Sequence, residues 1–300
     1  MKKAISVLVA GQGRWVVFLL AVVLAAGPQN VFARSFLWSV SSPAATVFLL
    51  GSIHLAKPDL YPLAPEIEQA FEHADKLVVE ANLSAAGPDF QLTILQDGLY
   101  PGDETIADHV DPETLTLLKN YLAKNELPFE SMAKMRPGML LLTLTSLKMM
   151  SLGYSPELGI DVHFIRKARQ QNKPILELES LQQQLALVLG FDNDDLLLKH
   201  TLYSLDQMGA SVEELFTAWK TGNAARINAL MREDVLTAHP EFKPVMKRMI
   251  TDRNMAMAAR ISQFLQSGGR YFVVVGAGHL VGSDGILALL RQQGFSIRQH

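Results

Sequence analysis

Short apolar runs alternate with segments of helical periodicity along this chain. The runs at 47–50, 76–80, 174–176, 270–275 and 295–297 have the length and residue types of buried strands. Segments at 66–73, 155–171, 182–267 and 282–293 place apolar residues on one helical face, with breaks expected near Gly209, Gly222 and Pro240. This alternation predicts an α/β (α+β) fold with a central mixed β-sheet flanked by helices. A large, mostly helical insertion, about 106–239 and interrupted by one strand, is expected within it.

The first 33 residues have the pattern of an export signal. Lys2, Lys3 and Arg14 are the only charged residues before Arg34, and a continuous apolar stretch runs over 15–27. That stretch is too short for an ordinary transmembrane helix, and small or aliphatic residues at 31 and 33 allow cleavage after Ala33. We expect a signal peptide at 1–33 and a single domain at 34–300, exported to the periplasm or secreted. An uncleaved anchor is the alternative.

Composition narrows the class of protein. Apolar residues make up 49% of the 300 residues and charged residues 19%, which excludes a disordered chain. Cysteine is absent, so no disulfide, thiolate nucleophile or thiolate metal site can form. The net charge of −3 and the lack of a basic run argue against nucleic-acid binding. Membrane contact is expected only through a retained signal segment. The next most apolar run, 139–150, contains Lys148 and is expected to be a buried core helix.

Two Gly-x-x-His-Leu motifs follow predicted strands and are the strongest chemical signal. Gly51 precedes His54 and Leu55, and Gly276 precedes His279 and Leu280. In open α/β sheets, ligands bind beyond the carboxyl ends of the strands, where glycine leaves room for a sharp turn or a ligand. If the two strands are neighbours, the histidines converge on one crevice. The alternative is that each imidazole merely caps a strand end.

A carboxylate at the end of a third strand points to the same edge. Glu80 directly follows three apolar strand residues, a position where a carboxylate needs a cation, a metal or a hydrogen-bond donor. Two histidines and a carboxylate at strand ends suit either a divalent metal or a general acid and base. An exposed loop carboxylate is the alternative for Glu80.

Three further charged residues lie near apolar faces. Arg253 interrupts the apolar face of a predicted helix, Asp161 lies at helical spacing from Leu158 and Ile165, and Glu179 follows the strand at 174–176. Each is a candidate for catalysis and equally for an ion pair that ties a helix to the sheet. The other histidines, which lie among polar residues, are expected at the surface: residues 73, 109, 163, 200, 239 and 300. No dinucleotide fingerprint, phosphate loop or Gly-x-Ser-x-Gly motif occurs.

Together these residues resemble the TraB/GumN family over about 37–297. Its first signature matches Leu50-Gly51-Ser52-Ile53-His54 and its second matches Leu77-Val78-Val79-Glu80. Further matches are Gly159-Ile160-Asp161, Leu178-Glu179 with Gln184, the pair Arg253-Asn254, and Val275-Gly276-Ala277-Gly278-His279-Leu280.

The resemblance implies a fold and an activity. The family is related to the Tiki metalloproteases and is similar in fold to erythromycin esterases. By that relation the chain would be a metal-dependent hydrolase of peptidase type, with His54, Glu80 and His279 around a divalent metal, manganese or cobalt ahead of zinc. Arg253 would stabilise an oxyanion or orient an acid, and Glu80 or Glu179 would act as base. The partner would be a peptide or small-molecule substrate. Two alternatives stay open, namely a metal-free esterase with a histidine base and a non-catalytic protein that binds a peptide, a metal or haem.

Overall fold

A single six-stranded sheet forms the centre of the computed structural model, which describes residues 34–82, 86–191 and 193–300. The strands are β1 (Leu37–Ser41), β2 (Ala45–Ser52), β3 (Lys76–Val79), β4 (Ile175–Glu177), β5 (Gly269–Gly276) and β6 (Ser296–Gln299). Their spatial order is β4-β3-β5-β2-β1-β6. Strands β4, β3, β5 and β2 are parallel, whereas β1 and β6 add an antiparallel edge, so the predicted mixed sheet is confirmed.

The parallel strands β2, β3 and β5 are largely buried, which is why their sequences contain nearly continuous runs of valine, leucine and phenylalanine, whereas β4 at the edge is less buried. Strand β2 pairs with β5 in the register that sets Ser52 opposite Gly276, and Val79 of β3 lies opposite Val274 of β5. The ends of three strands therefore lie side by side at one edge of the sheet. Strand β1 was not among the predicted strands.

Helices cover both faces of the sheet and build the insertion. Among the described residues, those before residue 221 are α1 (Pro65–His73), α2 (Pro88–Gly98), α3 (Pro112–Lys124), α4 (Pro137–Ser151), α5 (Ile160–Gln170), α6 (Leu181–Leu189) and α7 (Asp194–Lys220). The first four begin at a proline, whose fixed φ suits the first helical position. Short 3₁₀ turns occupy Pro58–Leu60, Ile106–Asp108, Phe129–Ser131, Pro156–Leu158 and Pro240–Phe242.

Two of the later helices each contain a π-helical stretch. Helix α8 comprises Ala224–Asn228, the π-helical Ala229–Glu233 and Asp234–Ala238. Helix α9 comprises Lys243–Met246, the π-helical Lys247–Thr251 and Asp252–Ser267. A short helix α10 (Ala277–Leu280) follows β5, and α11 (Ile286–Gln292) precedes β6. Single-turn π stretches inside α-helices are frequent at functional sites.

The expected break at Gly209 is wrong, because α7 runs without interruption from Asp194 to Lys220. A Cβ at Gly209 would meet nothing within 4 Å, so the glycine costs the helix some stability but forces no turn. The other two expected breaks are present. Helix α7 ends before Gly222, which has a φ of +63°, and α8 ends before Pro240.

The apolar core has two parts. The larger cluster packs around the sheet and includes Phe36, Phe71, Phe164 and Phe272. A second cluster lies within the helical insertion and includes Ile106, Leu118, Leu144 and Leu198. The insertion therefore has its own apolar centre rather than lying over the sheet as a thin layer.

One expectation about apolar segments needs correction, and a second falls on residues that the structure does not describe. Helix α4 carries the run at 139–150, yet Leu142, Leu147 and Met150 on it are exposed, so it is only partly a core helix. The predicted signal peptide, 1–33, lies outside the described residues. Within the described part of the chain, no helix has both the length and the apolar character needed to span a membrane.

Candidate active site

The two histidines of the repeated motif meet around one glycine. Because Ser52 and Gly276 are register partners at the ends of β2 and β5, the loops that follow them leave the sheet side by side. A Cβ built on Gly276 would lie 3.2 Å from Glu80 Oε1, 3.4 Å from His279 Cδ2 and 3.7 Å from His54 Nε2. All three predicted residues thus border one small space, which only a residue without a side chain leaves open.

His54 is held from its Nδ1 side by a carboxylate. The distance from Nδ1 to Asp161 Oδ2 is 2.8 Å, and the other oxygen of Asp161 accepts a hydrogen bond from the Ser52 hydroxyl at 3.0 Å. The His54 side chain is 61% exposed and that of Asp161 18%. The negative charge of Asp161 raises the pKa of His54 to about 9, despite an opposing effect of desolvation.

Asp161 reaches His54 because α5 begins directly against the loop after β2. The Ile160 amide donates to the Ile53 carbonyl at 3.1 Å, and a Cβ at Gly159 would collide with the His54 carbonyl. Glycine at 159 therefore permits this close approach. The first turn of α5 then places Asp161 beside the imidazole.

His279 lies in the opposite environment. Its side chain is 6% exposed, its Nδ1 lies 2.7 Å from Asn254 Oδ1, and its Nε2 lies 3.0 Å from Nη1 of Arg253. Since a guanidinium can only donate, Nε2 is the acceptor and the ring is neutral with its proton on Nδ1. Burial lowers the pKa of His279 to about 4, with the positive charge of Arg253 acting in the same direction and Glu80 opposing it.

Glu80 is buried, and both of its carboxylate oxygens accept hydrogen bonds. Its Oε1 accepts the Gly276 amide at 2.5 Å, and its Oε2 accepts Arg253 Nη2 at 2.6 Å and Gln184 Nε2 at 3.2 Å. Burial favours the neutral acid, but His279, Arg253 and His54 oppose it and lower the pKa of Glu80 to about 2. Glu80 is therefore a carboxylate at neutral pH.

Arg253 joins the two glutamates and His279. Its Nε and Nη2 both donate to Glu179, and Nη2 also donates to Glu80. Its Nη1 donates to the Met249 carbonyl at 3.2 Å and to His279 Nε2 at 3.0 Å. All five N–H groups of the guanidinium thus have acceptors within the protein. In this arrangement Arg253 orients two acids, Glu80 and Glu179, and its expected role toward an oxyanion stays a prediction.

All six predicted site residues lie in this one region, in two groups. His54 pairs with Asp161, while Glu80, Glu179 and His279 surround Arg253. Sequence reasoning did not assign roles to Asn254 and Gln184, although both lie in matched signatures; their signal was their position beside Arg253 and beyond Glu179. His200 was expected at the surface, yet both of its ring nitrogens are buried and without a hydrogen-bond partner.

The kinds of donor in this site fit a divalent metal. Each histidine has its Nδ1 held by an acceptor, which leaves Nε2 as the atom that would bind a metal, as is usual for metal-ligating histidines. Glu80 adds an oxygen donor at the same space beside Gly276. In the described ranges, no three His, Asp or Glu side chains are yet placed as a ready metal-binding group. The Nη1 of Arg253 must first release His279.

Comparison with known proteins assigns the chain to a family. The sequence profile of the TraB/PrgY/gumN family matches residues 36–299, which is nearly all of the described chain. The chain belongs to this family. It is 26% identical over 245 residues to the uncharacterized protein YbaP of Escherichia coli, covering 81% of this chain and 87% of that protein.

Two animal proteins are more distant relatives of this chain. The metalloprotease TIKI2 of Danio rerio is 23% identical over 88% of this chain, and the metalloprotease TIKI1 of Homo sapiens is 21% identical over 90%. The match spans only 60% and 63% of those two proteins. No solved structure matches the chain significantly.

Proposed function

We propose that this protein is a metal-dependent hydrolase of peptidase type. The observation that carries the proposal is the convergence of two imidazoles, each with Nδ1 already held, and one carboxylate around Gly276. The distant similarity to the metalloproteases TIKI1 and TIKI2 supports hydrolysis of a peptide or small-molecule substrate. Two imidazoles and a carboxylate accept manganese, cobalt or zinc, and the order of manganese or cobalt before zinc rests on the resemblance to the Tiki metalloproteases.

His54, His279 and Glu80 would hold the metal through the two Nε2 atoms and a carboxylate oxygen. A divalent metal in such a site polarises the scissile carbonyl and lowers the pKa of a bound water. Asp161 and Asn254 would keep the two rings oriented, since each accepts from an Nδ1. His54 must lose its second proton to bind, which the exposed position of its ring allows.

Arg253 would act in two ways. Its contacts to Glu80 and Glu179 hold two buried carboxylates in place, and its positive charge helps to keep Glu80 ionised. Its Nη1 donates to the very lone pair of His279 that a ligand would use. Once that lone pair is used, one N–H of Arg253 becomes available to a developing negative charge beside it. Glu179, which accepts from two nitrogens of Arg253, would position the guanidinium rather than take a proton.

The experiment is hydrolysis of a peptide library by the protein lacking residues 1–33, with manganese, cobalt or zinc added. We expect metal-dependent cleavage by the wild type and its loss in the double variant His54→Ala, His279→Ala. His73→Ala is the matched control, because His73 is exposed at the end of α1. Full activity of the double variant would overturn the proposal.

A metal-free hydrolase is the second candidate, and the His54–Asp161 pair favours it. The exposed ring has a free Nε2 and a carboxylate on Nδ1, the arrangement of a general base. Because the pKa of His54 is about 9, such a base would become more active as the pH rises toward 9. Activity that survives exhaustive chelation and rises in this way would favour this second candidate over the first.

We also propose that the protein is exported. The support is the charged start and apolar stretch over 15–27. N-terminal sequencing of the protein recovered from a bacterial periplasmic fraction tests this, with Arg34 expected as the first residue. Recovery of the full-length chain from the cytosol would contradict it.

A further inference from the structure

A chain of hydrogen bonds leads from His279 through Asn254 to Asp284, which is not among the site residues described above. Asn254 is fully buried, its Oδ1 lies 2.7 Å from His279 Nδ1, and its Nδ2 donates to the Asp284 carbonyl at 2.9 Å. Because a carbonyl only accepts, the amide must present its nitrogen to Asp284 and its oxygen to His279. The orientation of Asn254 is thus dictated by the backbone of Asp284.

The Asp284 side chain is in turn fixed by both π-helical stretches. Arg232, on the π stretch of α8, donates from Nη2 to Asp284 Oδ2 at 2.6 Å and contacts Oδ1 with Nη1. Thr251, the last residue of the π stretch of α9, donates its hydroxyl to Oδ2 at 2.6 Å. The Arg232 side chain is 12% exposed and that of Asp284 is 32% exposed, so this ion pair is partly shielded from solvent.

The loop that carries Asp284 is also tightly fitted. Gly282 has a φ of +88°, and a Cβ there would press on Asn228 Oδ1 and Arg232 Nη1. Arg232 Nη1 further donates to the Val281 carbonyl at 3.4 Å. Arg232 therefore holds both ends of the segment that presents the Asp284 carbonyl to Asn254.

From this geometry we infer that Asp284, clamped by Arg232 and Thr251, is a positioning residue that acts through Asn254 to help fix the ring tautomer of His279, which Arg253 favours from the Nε2 side. The Nδ1–H tautomer leaves the lone pair on Nε2, toward Arg253 and Glu80, where the proposed chemistry needs it. Without the clamp, the Asn254 amide is free to turn over and present its nitrogen to His279, which favours the opposite tautomer. The inference rests on the proposed function in one respect only, namely that a metal would bind the Nε2 lone pair of His279.

The test is ¹⁵N NMR of the histidine rings in the metal-free protein. We expect His279 of the wild type to be the Nδ1–H tautomer. Asn254→Leu and Arg232→Met should each give a population protonated on Nε2, and Arg232→Lys should keep the wild-type pattern because it retains the charge. Arg226→Met is the matched control, since Arg226 makes a similar ion pair with Glu214 at an exposed position away from Asp284.

Each outcome decides the inference. A wild-type tautomer in folded Arg232→Met overturns the clamp, even if Asn254→Leu changes the ring. If Asn254→Leu does not fold, Arg232→Met decides alone. Cobalt affinity measured on the same variants should fall about 10- to 100-fold wherever the tautomer changes. A correct tautomer in a wild type that binds no metal would instead count against the proposed function and leave this inference intact.

Discussion

The two Gly-x-x-His-Leu segments have the same local sequence pattern but place their histidines in opposite environments. His54 is 61% exposed and faces the carboxylate of Asp161, whereas His279 is 6% exposed and faces the amide of Asn254 and the guanidinium of Arg253. The pKa of the first is raised to about 9 and that of the second lowered to about 4. Partners from distant helices, rather than the motif, therefore set the charge of each ring.

Because their environments differ, the two histidines would have different roles in the site. His279 is a neutral, rigid ring whose Nε2 lone pair is ready, so it would act as the fixed part of the site. His54 is the exposed ring, and it must lose one of its two protons before it can bind a metal or act as a base. The following predictions test this contrast, beginning with the largest expected effect.

Removing Arg253 should damage the buried half of the site most. In Arg253→Met, Glu80 and Glu179 lose their shared cation while staying buried, and we expect a loss of about 3–5 kcal/mol in the free energy of unfolding. Urea denaturation measures this loss. Arg226→Met breaks an exposed ion pair and should cost far less, because solvent screens that pair. Equal losses in both variants would contradict the account of Arg253.

His200 isolates the effect of burial on a histidine. Burial alone lowers its pKa to about 4, and it has no ionic partner in the described structure. The unfolded chain binds a proton near pH 6.5 but the fold resists it, so stability is lost as the pH falls from about 6.5 to 4. The loss is about 3 kcal/mol by pH 4. In His200→Leu this part of the pH dependence should disappear.

The matched control for His200 is His73→Leu, at the exposed end of α1. Denaturation of the wild type and both variants at several pH values between 4 and 7 gives the comparison. If the His200→Leu curve runs parallel to that of the wild type, His200 is not the buried neutral group described here.

Replacing glycine by alanine should have opposite effects on stability in the site and in a helix. Gly276→Ala places a methyl group 3.2 Å from Glu80 Oε1, and we expect a loss of about 1 kcal/mol together with weakened cobalt binding. Gly209→Ala lies within α7 with open space around it, and should instead gain about 0.5–1 kcal/mol. A gain of stability in both variants would contradict the crowded space at Gly276.

The smallest expected change in stability concerns the exposed half of the site. In Asp161→Asn the negative charge beside His54 is removed, so the pKa of His54 should fall from about 9 toward its ordinary value of about 6.5. In the wild type, this pair contributes to the free energy of unfolding below pH 6.5, and the contribution is lost as the pH rises through 9. NMR titration of the ring checks it, with Asp59→Asn as control. An unchanged pKa would show that Asp161 does not hold the proton.

The sequence predicted what depends on local pattern and strand adjacency. Strand runs followed by Gly-x-x-His were enough to place His54 and His279 at one sheet edge, because parallel neighbours end together. Glu80 was found for the same reason. The antiparallel β1 was missed because it depends on pairing with β2 and with the chain terminus, which no local period records.

The partners of the two rings could not be predicted from sequence alone. Asp161 meets His54 across 107 positions and Asn254 meets His279 across 25, and both contacts depend on how α5 and α9 pack on the sheet. Nor could composition show that all N–H groups of Arg253 are used within the protein. His200 was expected at the surface because Lys199 and Thr201 beside it are polar, but its ring packs edge-on against Phe242 with the ring centres 5.1 Å apart.

Cobalt loading followed by desalting, elemental analysis and visible absorption tests the central claim most directly. We predict about one cobalt per chain in the protein lacking residues 1–33, with the absorption of a histidine-ligated site, and loss of both signals in His54→Ala and in His279→Ala. His73→Ala should load as the wild type does. Cobalt that is retained in full by both site variants would contradict a metal held between the two Gly-x-x-His histidines.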